Sequence, residues 1–174
     1  YEECYTILYA CMVAKYWFEQ IARIPCELDV ASEFRYREAP MPENGIALFV
    51  SQSGETLDTL EALRYCKSKD QKILSIVNTI ESTIERESDF VLHTLAGPEI
   101  GVASTKAFTT QLTTLACLVL SLAEAKGTKE KVELETLAEA LRHVPAQAGK
   151  MLRSDQQIKD IAKEVCDARD VLYI

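Results

Sequence analysis

The stretch "GIALFVSQSGETLDTLEALRYCK" (45–67) is the most informative part of the sequence about its class of fold. Residues 46–51 form an unbroken apolar run, and the spacing of apolar residues predicts a helix over 55–67. Between them, "SQSGET" (51–56) places three hydroxyl side chains, an amide and a glycine where a strand gives way to a helix. A buried strand, a short polar turn and a helix form the repeating unit of a parallel α/β sheet.

The neighbouring segments repeat this pattern. Two further apolar runs without alternation, 72–79 and 90–95, predict strands buried on both faces, and "CELDVA" (26–31) is a weaker strand candidate. Periodicity predicts helices over 4–22, 82–89, 104–126, 129–152 and 155–168, with a strand fragment at 171–174. Strands that alternate with helices predict a parallel sheet covered by helices on both faces, a three-layer α/β/α sandwich with C-terminal helices.

The polar turn 51–56 has the properties of a phosphate site. Ligands of parallel α/β sheets bind beyond the carboxyl ends of the strands, and the first N–H groups of a helix attract anions. Ser51, Ser53 and Thr56 add hydroxyl donors, Gln52 adds an amide, and Gly54 allows close approach of the backbone. The turn contains no lysine or arginine, so neutral donors would hold the anion. The alternative is a helix N-cap with incidental polar neighbours.

A second candidate is the loop "EIGVASTKAFTTQ" (99–111), where Lys106 occupies the first turn of the long helix, a position disfavoured for a cation. An exposed lysine without a function is the alternative. His93 and His143 lack the spacing of metal ligands, so no metal or other cofactor is predicted. The residues also suggest no pairing of a nucleophile with a base, and therefore no catalytic residue.

Composition excludes several classes of function. The net charge of −8 over 174 residues argues against nucleic-acid binding and against an anionic membrane surface, since both need basic patches. The apolar run 112–123 is too short to span a bilayer and predicts a core helix. Six cysteines without a C-x-x-C pair are typical of reduced, buried thiols, which predicts a cytoplasmic protein.

Three segments together resemble one known family. They are "SQSGETLDTLEALRYCK" (51–67), "GPEIGVASTKAFTTQL" (97–112) and "VAKYWFEQIARIPCELDVASEFRYR" (13–37). They are similar to the first sugar isomerase (SIS) half of the glutamine–fructose-6-phosphate aminotransferases (isomerizing), also called glucosamine-6-phosphate synthases. The similarity runs from about Thr6 to the C-terminus. It implies the flavodoxin-like SIS fold, with an SIS domain over 1–152 and a helix and strand fragment over 153–174.

The resemblance also implies a function, since that family makes glucosamine 6-phosphate from fructose 6-phosphate and glutamine-derived ammonia in hexosamine biosynthesis. It implies that Ser51, Gln52, Ser53 and Thr56 bind the sugar phosphate, and that Val102 contacts the sugar, as does Thr6 if its loop survives. It further implies a homo-oligomer. The family's acid/base groups lie in a second SIS half, so this chain alone is expected to bind and not to catalyse.

The N-terminus departs from the family. Where the family has a Cys-Gly-Thr-Ser turn, this chain has "CYTI" (4–7), which extends a helical stripe. We therefore expect Val171–Ile174 to fill the place of the family's first strand, or else to lie free. Two further functions stay open: a non-catalytic module that senses sugar phosphates, and a re-engineered scaffold with a relic site.

Overall fold

The computed structural model describes residues 2–98, 106–170 and 172, with side chains from residue 5 onward. Two compact units are present, Tyr1–Lys131 and Val132–Ile174. In the first unit, α1 (Glu2–Gln20) and α2 (Ala31–Arg37) precede β1 (Ile46–Ser51), α3 (Leu57–Ser68), β2 (Lys72–Val77), α4 (Thr83–Glu87), β3 (Phe90–His93) and α5 (Lys106–Lys126). The helices α6 (Lys131–Leu152) and α7 (Asp155–Val165) follow. The expected boundary at residue 152 stays a prediction.

The three described strands form a parallel sheet in the order β1-β2-β3. Ile46 pairs with Lys72 and Ser51 with Val77, so β1 and β2 end at the same edge. Val77 pairs with His93, which brings the end of β3 to that edge as well. The sequence prediction of an α/β sandwich with a parallel sheet is confirmed, and the three strands begin where the apolar runs begin.

Apolar packing covers both faces of the sheet. On one face, Ile73 and Val77 pack with Leu60, Leu63, Cys66 and Ile84 in a buried cluster supplied by β2, α3 and α4. Side chains of a strand alternate between faces, so the buried Val50 and Ile76 point to the opposite face. There α1 contacts β1 and packs along α5.

The contact between α1 and α5 follows a four-residue spacing. Buried residues recur at Ala10, Ala14, Phe18 and Ala22 at one end of the chain, and at Ala107, Gln111, Leu115, Val119 and Ala123 along α5. By length and composition alone α5 is apolar enough to cross a membrane. Its buried stripe instead makes it a core helix, as the sequence predicted.

Two local predictions were wrong. Residues 26–30 form no strand. Side chains, and not a neighbouring strand, provide hydrogen bonds to the backbone here: Lys15 Nζ donates to the Cys26 carbonyl, and Asp29 Oδ1 accepts from Val30 N–H at 2.8 Å. The expectation of buried thiols holds for Cys66, and burial raises the pKa of its thiol to about 11. It fails for Cys117 and Cys166, which are exposed. All cysteines whose side chains are described are free thiols.

The prediction that Val171–Ile174 replace a missing strand lies outside the described residues, apart from Leu172, which belongs to no strand. Among the described strands, β1 has one neighbour, β2. The predicted helical character of the N-terminus is confirmed, because residues 2–20 form one continuous helix.

Candidate phosphate site at the carboxyl edge of the sheet

The turn 51–56 leaves the sheet at the carboxyl end of β1 and enters α3 at Leu57. Ser51 is 3% exposed, and its Oγ accepts a hydrogen bond of 3.0 Å from Gly54 N–H. Ser53 is exposed, and its Oγ accepts from Glu55 N–H at 3.2 Å. The two hydroxyl oxygens therefore close the turn, and the exposed Ser53 hydroxyl keeps its proton available to an incoming oxygen atom.

Within the part of the chain that the structure describes, the N-cap residue of α3 makes no side-chain capping bond. Thr56 occupies the N-cap position with extended backbone angles, but its hydroxyl makes no capping hydrogen bond. The first N–H groups of a helix have no partners within that helix. An anion at this position would receive those N–H groups and the positive end of the helix dipole. The alternative of a simple Thr56 or serine cap is therefore not what the structure contains.

Gly54 needs to be glycine for two independent reasons. Its φ is +67°, in the left-handed region. A Cβ there would also stand 2.1 Å from Ser82 Oγ and 2.4 Å from Ser82 Cβ. The turn thus rests directly on the residue that precedes α4.

Two N–H groups at the start of α4 hold the turn by hydrogen bonds. Ile84 N–H donates to the Gly54 carbonyl at 3.0 Å, and Thr83 N–H donates to Glu55 Oε1 at 2.7 Å. The bond from Thr83 lowers the pKa of Glu55. The Ser82 side chain makes no capping hydrogen bond at α4, while Glu85 Oε2 accepts from Glu81 N–H at 2.7 Å. Glu55 therefore supplies a side-chain acceptor at the start of α4.

The charged side chains close to the turn in sequence would not hold an anion, and the expectation of neutral donors stays a prediction. The nearest charged side chains in sequence are acidic, Glu55 and Asp58. Lys106, the cation of the second candidate loop, donates to the Pro98 carbonyl at 2.6 Å. That contact gives the lysine a structural role at the beginning of α5, where the helix dipole disfavours it.

The structure brings together Ser51, Gln52, Ser53 and Thr56 in one turn. Gln52 is half-buried, and its Oε1 has no hydrogen-bond partner among the described residues. Thr6 lies within helix α1, so the loop on which its sugar contact depended is absent. Val102 lies outside the described residues.

Sequence reasoning missed Asn78 and Glu55. Asn78 follows β2 and connects the segments after β1 and β3 by hydrogen bonds. The sequence feature that could have identified Asn78 is a polar residue at the carboxyl end of a buried strand.

His93 belongs to the structural contacts of α4, since its Nε2 lies 3.2 Å from Glu85 Oε1. Although burial alone raises the pKa of Glu85, the adjacent His93 and the hydrogen bond from Glu81 N–H lower it.

A surface depression of about 680 Å³ lies at the other edge of the sheet, between the loop 38–44 and the end of α3 around Tyr65 and Lys69. It adjoins the amino ends of β1 and β2. Parallel α/β proteins bind ligands beyond the carboxyl ends of their strands, so the turn 51–56 is the stronger candidate. No group of three His, Cys, Asp or Glu side chains within the described part of the chain is arranged to hold a metal.

Known proteins are similar to this chain over nearly its whole length. The chain is 53% identical over 171 residues to a glutamine–fructose-6-phosphate aminotransferase (isomerizing) of Mesorhizobium japonicum, covering 98% of this chain and 28% of that relative. A homologue of the same name from Gluconobacter oxydans is 51% identical with the same coverage. The chain thus spans just over a quarter of the curated relatives it matches.

Solved structures of similar proteins superpose on this chain. The C-terminal domain of glucosamine-fructose-6-phosphate aminotransferase from Francisella tularensis superposes with a TM-score of 0.84 at 42% identity, over 93% of this chain and 46% of that chain. Glucosamine-6-phosphate deaminase from Thermotoga maritima superposes with a TM-score of 0.65 at 25% identity, over 79% of this chain and 41% of that one. These matches confirm the resemblance carried by the motifs. The SIS domain model matches residues 7–121, and the chain belongs to the SIS domain family.

Proposed function

We propose that this chain is a phosphosugar-binding SIS domain of the glucosamine-6-phosphate synthase type, which takes fructose 6-phosphate or glucosamine 6-phosphate. The observation that carries the proposal is the uncapped turn 51–56, with its free hydroxyl protons and helix N-terminus, in a chain 53% identical to enzymes named for fructose 6-phosphate. The activity of those full-length relatives, hexosamine biosynthesis, is part of the proposal.

Within the site, Ser53, Thr56 and Gln52 donate to the phosphate oxygens, and the N–H groups of the first turn of α3 complete the shell. Ser51 shapes the turn by accepting from Gly54 N–H and adds its own hydroxyl proton. Val102 remains a proposed sugar contact. Thr6 is not proposed as one, because it lies within α1 and the loop that its contact required is absent. A phosphate held only by neutral donors gains strength from hydrogen bonds to a charged group, about 1.5–3 kcal/mol each.

The proposal places binding in this chain and assigns it no catalytic residue. It also includes a cytoplasmic location and a homo-oligomer, without nucleic acid, membrane or cofactor as partner. A re-engineered scaffold with a relic site is the second candidate, favoured by one observation: residues 4–7 are helical where the family has a turn. Binding of a sugar phosphate separates the two candidates.

Isothermal titration with fructose 6-phosphate tests the function. The Ser53→Ala variant is expected to weaken binding by about 1.5–3 kcal/mol, the range for a hydrogen bond to a charged group. The matched control is Ser68→Ala, which removes an exposed serine hydroxyl at the opposite end of α3, bonded to the Tyr65 carbonyl. Ser68→Ala should bind like the unmodified chain. Absence of binding by the unmodified chain would favour the relic scaffold.

A further inference from the structure

Asn78, the first residue after β2, holds the segment that follows β3. Its Oδ1 accepts hydrogen bonds from Thr94 Oγ1 at 3.0 Å and from Ala96 N–H at 2.8 Å. Its Nδ2 donates to the Gly97 carbonyl at 2.9 Å. One carboxamide therefore makes three hydrogen bonds to residues 94–97, which we call the β3 stem.

The main chain at Asn78 holds the phosphate turn. The N–H groups of Asn78 and Thr79 both donate to the Gln52 carbonyl at 3.3 Å, and Thr79 Oγ1 lies 3.3 Å from the same oxygen. Asn78 thus contacts the phosphate turn with its backbone and the β3 stem with its side chain. A substitution at residue 78 changes the second connection and keeps the backbone donor of the first.

The spacing of the sheet fits a phosphosugar across these two segments. Neighbouring strands lie about 4.8 Å apart, and β2 lies between β1 and β3. The phosphate turn and the β3 stem are therefore separated by roughly 10 Å along the carboxyl edge. A hexose phosphate can bridge that distance with its phosphate on the turn 51–56 and its sugar toward the stem.

We propose that Asn78 is a positioning residue that sets the β3 stem at the distance from the phosphate turn that a sugar phosphate requires. The inference rests on the proposed function and adds to it a determinant of sugar selectivity. Asn78 acts through Ala96 and Gly97, since its own polar side-chain atoms are engaged by the stem. It is accordingly not a catalytic residue.

The test compares the affinity for fructose 6-phosphate with the affinity for inorganic phosphate. Asn78→Ala removes the three bonds to the stem and retains the backbone donors to Gln52. We expect it to weaken fructose 6-phosphate binding about tenfold, while the affinity for inorganic phosphate changes less than about twofold. A purely structural loss would weaken both ligands equally, so the ratio of the two affinities is the informative quantity.

Gln71→Ala is the matched control. Gln71 lies just before β2 at the opposite edge, is 8% exposed, and its Nε2 donates at 3.0 Å to the Pro42 and Lys69 carbonyls. It should lower stability without changing the affinity ratio. If Asn78→Ala does not fold, Thr94→Val removes one stem bond at constant shape and should lower the ratio about threefold.

The outcomes are distinct. A selective loss of fructose 6-phosphate binding supports the role of Asn78. Equal losses for both ligands, or no loss, overturn that role and leave the phosphate site intact. Failure of the unmodified chain to bind either ligand overturns the proposed function itself, and the inference with it.

Discussion

Replacing Gly54 with alanine tests whether the phosphate turn depends on its contact with α4. The residue has φ +67°, which costs an alanine about 1–2 kcal/mol. The new methyl group would also stand 2.4 Å from Ser82 Cβ, an atom that side-chain rotation does not move. Overpacking of this kind costs about 1–3 kcal/mol. Together the free energy of unfolding should fall by roughly 2–5 kcal/mol.

Urea denaturation measures the loss, and Gly127→Ala supplies the control. Gly127 has φ +62°, and a Cβ there would meet no atom within 4 Å. Its substitution should cost only the backbone strain, about 1–2 kcal/mol. Adding Ser82→Gly to Gly54→Ala removes the obstructing side chain and should restore roughly 1–3 kcal/mol. Ser82→Gly alone should cost a few tenths of a kcal/mol, about the usual value for glycine at an N-cap.

Equal losses for Gly54→Ala and Gly127→Ala would contradict a clash with Ser82, because backbone strain alone would then explain both. So would a double variant no more stable than Gly54→Ala by itself. In the same samples, Gly54→Ala should bind fructose 6-phosphate more weakly than Gly127→Ala. The clash displaces the turn, whereas the control lies at the end of α5.

Two further predictions concern the surroundings of the site. Ser51→Ala leaves the buried Gly54 N–H without its acceptor and should lower the free energy of unfolding by about 1–3 kcal/mol, measured by urea denaturation; a loss below about 0.5 kcal/mol, typical of surface substitutions, would contradict it. The hydrogen bond from Arg64 lowers the pKa of Glu87, so Glu87 contributes stability above its ordinary pKa of about 4.3 and loses it as the pH falls through the lowered value. Glu87→Gln should therefore be less stable than the unmodified chain at pH 7 and equally stable near pH 2; a difference independent of pH would contradict this assignment.

Much of the fold was predictable because its strands are apolar runs, although only the central strand β2 is largely buried. The apolar runs at 46–51, 72–79 and 90–95 lack alternation, and each gave a strand that begins at the predicted residue. The phosphate turn followed from polar residues at the carboxyl end of such a strand. Periodicity likewise predicted α1, including residues 4–7, where the resemblance implied a turn.

The remaining features depend on contacts distant in sequence. Whether residues 26–30 form a strand depends on a neighbouring strand, and Lys15 satisfies the Cys26 carbonyl instead. Glu55 caps α4 across 28 residues, which local capping rules do not anticipate. Asn78 connects two segments that only the strand order brings together.

Backbone amide NMR shifts during titration with fructose 6-phosphate test the phosphate site most directly. We expect the largest shifts on the N–H groups of residues 52–58, in the turn and the first residues of α3, and we expect Ser53→Ala to diminish them. Shifts centred on residues 38–44 at the opposite edge, or no shifts at all, would contradict the claim that this turn holds a sugar phosphate.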